Sequence, residues 1–470
     1  MKLTRKQLLG GAAAGALGAA GIYELVDQLA DSPQRAAAGE RPKEQHLLAG
    51  MKLFEHEGVD VVEPPLHHQV VTARLRVAPR RRELREAQAT LEEALAALER
   101  RYDVTPAGLA LSVAWGLPYF RRYVPDLAER HLPIDRRAST SADRPVSALF
   151  DAQRFPSDPD TTILEANEVA FLLRSDHREH VADGAQRLFA DTDGLFDLTS
   201  IRKGFQGGGF AGGQGLPKAM ATAAGIQGAD LIPDGAQLFL GFTSTQRDTQ
   251  GQSRIANFET LGLVDVRGGY FRGGTHMHLS HLFENVEAWY LDFDFRDRVD
   301  TIFRPGFKAR EGAQTLRQAP ANAASQDDLV GDFRRFGAIG HSASIQPTSR
   351  LQMDIRGEDG ELYKQGSAIP LRADFNTLDN PFFWTADPER DRHSDQAEAG
   401  LHFITFNPSS DDFRRNRLAM DGELPDGTRL PLQARSRAQG LNSVLRTTHR
   451  QNFLMPPRAR RSFPLVDLLR

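Results

Sequence analysis

The sequence predicts an α+β fold of tandem ferredoxin-like domains with antiparallel sheets, and three observations lead to it. Alternating residues at 68–77 precede a long amphipathic stripe and a second strand-like run at 109–115. A third strand at 161–175 and a helix at 179–190 complete a strand, helix, strand, strand, helix pattern, which is the split unit of such folds. A glycine-dense stretch then separates this unit from a remainder long enough for another. At 470 residues, 40% hydrophobic and 26% charged, the chain can bury a large core divided between two domains.

Taken in order, the chain starts with Lys2 and Arg5-Lys6 ahead of a mild Ala/Gly run from Gly10 to Ile22, and Ala36-Ala37-Ala38 offers small residues for cleavage. Residues 1–38 therefore read as an export signal, with an uncleaved anchor or a disordered tail as the alternatives. The apolar run is too short and too mild to span a bilayer stably, so no membrane span is expected in the mature form. Thr4-Arg5-Lys6-Gln7-Leu8-Leu9 resembles a twin-arginine signal with lysine in second place. That resemblance implies export to the cell envelope or beyond by the twin-arginine route.

A polar linker is expected over 39–65. In the first domain, 66–205, Val70, Thr72, Arg74 and Arg76 alternate with Val71, Ala73, Leu75 and Val77 as in a strand. Between Arg82 and Arg101, Leu84, Leu91, Leu95 and Leu98 fall on one stripe among Glu and Arg, as on a helix packed against a core. Seven glycines between Gly204 and Gly215 argue against a packed element there, so 206–234 is expected to be an interdomain linker. It lacks the Gly-Lys-Ser/Thr order of a phosphate-cradling loop. The second domain runs from 235 to 470.

Composition excludes several functions. The formal net charge is −4 and there is no cysteine. Nucleic acid is not suggested as a partner. Disulfides, thiolate metal sites and cysteine nucleophiles are excluded outright.

The candidate site centres on His341, set among small residues in Gly337-Ala338-Ile339-Gly340-His341-Ser342-Ala343-Ser344 with Pro347 beyond. A neutral imidazole among small neighbours can approach a large flat ligand such as haem. A loop or core histidine would look the same. The segment resembles the proximal-histidine motif of the dye-decolorising peroxidase superfamily, in which Gly-Ala-His is followed six residues later by Pro. Further segments keep the family's order: the Gly116-Leu117-Pro118 corner, the strand at 273–283, the helix at 284–290, Met353-Asp354-Ile355-Arg356-Gly357, Gly400-Leu401-His402-Phe403-Ile404-Thr405-Phe406, and the tail at 455–465.

What the resemblance implies is a dimeric α+β barrel type of fold, haem b bound through His341 as axial ligand of the iron, and a peroxidase-like oxidoreductase acting on peroxide and an organic reductant. Arg356 becomes a candidate for a haem propionate, since a guanidinium pairs bidentately with a carboxylate. A homo-oligomer is compatible with it. The resemblance also shows what is missing. Ser244 and Thr245 stand where the family has Asp and Gly, and Ser280 and His281 where it has arginines. Substitutes for the missing distal groups are His276 and His278, which strand alternation places on one face while His281 takes the other, and Asp248 four residues beyond Ser244. The same two histidines could equally bind a metal or line a polar strand face. The alternative to an enzyme is an exported haem- or metal-binding protein without fast peroxidase activity.

Overall fold

The computed structural model describes residues 22–30, 41–56, 59–209, 215–242, 254–256, 266–308, 325–351, 353–356, 362–363, 369–378 and 397–470. Its architecture is α+β, and a large antiparallel sheet organises it.

The first domain contributes strands β1 (His67–Leu75), β2 (Ala110–Gly116), β3 (Val169–Ser175) and β4 (Phe196–Phe205). They pair in the order β4-β1-β3-β2, the arrangement of a ferredoxin-like unit. Helices α1 (Arg81–Arg101) and α2 (Arg178–Asp191) connect them. The stripe on α1 is as the spacing requires: Leu84, Leu91, Leu95 and Leu98 are buried against Val71, Val113, Phe171 and Leu173. The run expected as one strand at 161–175 is interrupted, leaving Ile163–Leu164 as a separate short strand.

The second domain repeats the order with β5 (Thr275–Glu284), β6 (Phe375–Thr377), β7 (Gly400–Asn407) and β8 (Leu445–Met455), paired as β6-β7-β5-β8. β8 joins β2 and β4 joins β6, so the eight strands close on themselves. Closure removes the open sheet edges. An eight-stranded ring is just wide enough for side chains to fill, and here Val70, Leu172, Met277, Leu279, Ile404, Phe406 and Phe453 do so. One end of the interior is polar: His68, Arg174, Arg202, His281, His402 and His449 are all buried, and Arg202 makes a forked ion pair with Glu165 at 2.5 and 2.7 Å.

Three stretches carry more regular structure than their composition suggests. The glycine run is not a free crossing: a Cβ at Gly207 would lie 1.9 Å from the Gln237 carbonyl oxygen and one at Gly215 1.9 Å from that of Ala236, so these glycines permit close backbone contact. Beyond them, Leu216–Ala223 is a buried helix, although residues 210–214 lie outside the described ones. The 39–65 stretch carries an antiparallel strand pair, Lys52–His56 with Val59–Glu63. Within the expected signal, Glu24–Leu29 is helical, with Ile22, Tyr23, Leu25 and Val26 buried beside Phe205 and Met220. His67 Nε2 lies 2.6 Å from Asp27 on this helix. Residues 1–21 and the Ala36 to Ala38 stretch are outside the described residues. No helix among the described residues is long and apolar enough to cross a membrane.

Candidate functional site

Two helices cover one face of the second half-sheet: α3 (His341–Ser349), from the first crossover, and α4 (Ser410–Met420), from the second. α4 starts with a capping box, Ser409 accepting at its first turn while Asp412 reaches back to the Ser409 amide. α3 begins at His341, and Gly340 ahead of it is held to glycine because a Cβ there would lie 2.4 Å from the Phe303 carbonyl oxygen. The residues α3 buries are small or polar: Ser342, Ala343, Ser344, Gln346, Thr348 and Ser349. Ser342, Gln346 and Ser349 face the sheet side together with His341 and Ile345, whereas Ala343 packs on Leu329 and Leu424. A cavity of about 1200 Å³, its open mouth included, remains between α3, α4 and β7.

Apolar side chains supply much of its wall, among them Leu240, Phe242, Ile345, Phe403 and Phe413. The rest is cationic or neutral. Arg350, Arg372 and Arg417 line it together with His341, and no carboxylate does among the described residues. Arg417 is anchored from behind by Asp421 at 3.0 Å, and Arg372 lies 3.8 Å from Asp374. Burial, with Arg372 beside it, pulls Arg350 down to about 9.

His341 is half-buried, and its Nδ1 is enclosed without a hydrogen-bond partner among the described residues. Burial first, then the charges of Arg372 and Arg417, lower its pKa to about 4, so the imidazole is neutral near pH 7. A neutral ring on a cavity wall can accept a proton or donate a lone pair to a metal.

The other candidates are elsewhere. His276 and His278 are buried on the helix-covered face of β5, yet neither lines the cavity. The His278 Nδ1–H donates to Asn452 Oδ1 at 2.7 Å, its Nε2 accepts from the Ser280 hydroxyl at 2.6 Å, and its ring lies flat on Phe413 with centroids 3.4 Å apart. Burial and nearby Arg450 hold His278 down at about 3; burial alone dominates at His276, at about 4. His281 points the other way, into the barrel, 5.0 Å from the His402 ring. Arg356 is exposed on a two-residue strand paired with Leu362–Tyr363 and does not line the cavity. Asp248, Ser244 and Thr245 lie outside the described residues.

The sequence reading missed Arg350, Arg372, Arg417 and Phe413. Arg350, nine residues after His341, carried some signal by proximity. The others come from segments whose meeting only the fold decides.

The fold and cavity define a class, a closed α+β barrel of two ferredoxin-like halves with a cationic, histidine-bearing chamber under the helices of the second. The chain belongs to the Family of unknown function (DUF7405), whose sequence profile matches residues 65–457. No curated protein matches it. Among solved structures it is similar to a DyP-type peroxidase from Cellulomonas bogoriensis, at 17% identity and a TM-score of 0.48, over 88% of this chain and 96% of that one. It is also similar to a putative DyP-type peroxidase from Shewanella oneidensis, at 15% identity and 0.47, over 87% and 96%. A variant of DypB from Rhodococcus jostii in complex with heme gives 12% identity and 0.44, over 84% and 94%.

Proposed function

We propose that the chamber binds haem b, with His341 as axial ligand, and that the protein is a haem-dependent, peroxidase-like oxidoreductase with an atypical distal side. The observation that carries this reading is a neutral His341 facing a chamber with aromatic walls and three guanidiniums. The donor set suits the group: imidazole for iron, apolar surface for the macrocycle, and Arg350, Arg372 or Arg417 for its carboxylates. One feature departs from it, since a ligating histidine ordinarily donates its second N–H and His341 Nδ1 has no acceptor among the described residues. When bound, haem supplies the redox chemistry of peroxide reduction. The protein's residues would orient the group, exclude water and hold charge.

The wall lacks a carboxylate among its described residues, and this favours a second reading, haem binding without fast peroxide turnover. General acid–base assistance is worth about 10²- to 10⁴-fold, and without it turnover is slow. Export by the twin-arginine route belongs to the same proposal, supported by the residues at the start of the chain. It is checked by N-terminal sequencing of envelope and extracellular fractions.

The deciding experiment is absorption spectroscopy of protein from haem-replete cells. A Soret band is expected that His341→Ala removes or strongly weakens, and an unchanged band in that variant would exclude His341. Wild type with a Soret band but no peroxide-dependent dye oxidation would select the second reading.

A further inference from the structure

Beside the chamber lies a narrow crevice of about 180 Å³, its open mouth included, lined by Phe150, Phe155, His278, Arg450 and Asn452. Phe413 lines both spaces. It is partly exposed, stacks on His278 at an interplanar angle of 15°, and stands 6.0 Å from Phe403 on the chamber's sheet wall. The Phe413 ring thus borders the His278 imidazole on one side and the chamber that holds His341 on the other, with Phe403 next to both. His278 itself is fixed: Asn452 sets its tautomer, and its other nitrogen is joined to the mobile hydroxyl of Ser280.

We propose that Phe413 is a positioning residue, a swinging partition that keeps His278 out of the His341 chamber when stacked and admits it when the ring turns into the chamber. The inference deepens the proposed function, since it rests on that chamber being the working site. With the ring turned, the face of the His278 imidazole is uncovered on the chamber side, and its Nε2, in the ring plane, is reached through the Ser280 hydroxyl that donates to it. Together they can take up or return a proton there, the role for which the wall holds no carboxylate among its described residues. Access of solvent also relieves the burial that holds the imidazole's pKa down.

The test is carbethoxylation of the full chain with diethyl pyrocarbonate, read by peptide mass mapping at each histidine. His278 in Phe413→Ala is expected to react roughly tenfold faster than in wild type, the upper end of what an aromatic stack contributes. Phe413→Leu should fall between, and Phe413→Trp should leave His278 at or below the wild-type rate. His402, inside the barrel, should stay unreactive in all of them, which reports that the fold is intact. Protection of His278 in Phe413→Ala while His341 reacts would overturn the proposal. So would reaction of His402 alongside His278 in both the Ala and Leu variants, because Phe413 would then be holding the fold. No haem is needed for the labelling, so a missing Soret band refutes the proposed function separately.

Discussion

The two halves of the barrel share a strand order and differ in what their helices press against it. α1 buries a stripe of leucines directly against the first half-sheet; α3 turns His341, Ser342, Ile345, Gln346 and Ser349 toward a chamber that separates it from the second. The comparison teaches that one strand order can carry a crossover helix packed on the sheet or one held off it by a chamber. On the helix-covered face and chamber wall of the second half, His276, His278, His341, Arg350 and Glu284 all have their ionisation shifted by burial.

The sharpest contrast should come from matched truncations. Leu91→Ala in α1 is expected to cost about 2–5 kcal/mol, the range for a large-to-small change in a filled core. Ile345→Ala in α3, whose side chain already borders open space, should cost about 1 kcal/mol or less, because little beyond partial burial is lost. Equal costs in denaturant titrations would break the comparison.

A second test uses acid. His341 and His276 sit at about 4 and His278 and His281 at about 3, below the ordinary value of 6.5. Below pH 6.5 the unfolded chain takes up protons that the native histidines refuse, so stability present above that pH is lost as pH falls toward 4 and then 3. His68 contributes in the same direction from the first half, at about 3. With four of these five histidines in the second half, β5 and β7 should lose hydrogen-exchange protection before β1 and β3 as pH drops from 7 to 4. Simultaneous loss would show that the barrel opens as one unit.

A smaller effect, opposite in sign, is expected at Glu284. Burial pushes its carboxyl up to about 8, and Oε2 has no hydrogen-bond partner among the described residues. The native group stays protonated while the unfolded one ionises above about 4.5, so its contribution is lost as pH rises from there through 8. Glu284→Gln should stabilise the protein at pH 8 by at least about 1 kcal/mol, since one pKa unit is worth about that much. At pH 4 it should change little. Thermal melts at both values check the sign.

Legibility in the sequence followed the range of the forces involved. The α1 stripe could be read because helical periodicity is local, and the same holds for the alternation that separates His276 and His278 from His281. His341 was legible by motif spacing, and so was its place beside small residues. The glycines at 207 and 215 were misread as slack, because a close approach of distant backbone cannot be seen from composition. Arg356 was named from its segment's resemblance to a family motif, and a motif says little about which guanidiniums turn toward one cavity: Arg356 is exposed, whereas Arg350 and Arg372 line the chamber.

The sequence by itself determined the α+β class, the order of strands and helices, the exclusion of cysteine chemistry and a histidine with small neighbours. All of these rest on residue type and on periodicity over a few turns. Only the tertiary structure decided that β2 meets β8 and β4 meets β6 to close the barrel, that three arginines line one chamber with His341, and that Phe413 borders both that chamber and His278. Those outcomes depend on packing between segments far apart in the chain, where the partner of each surface is fixed by shape and burial and no local pattern encodes it.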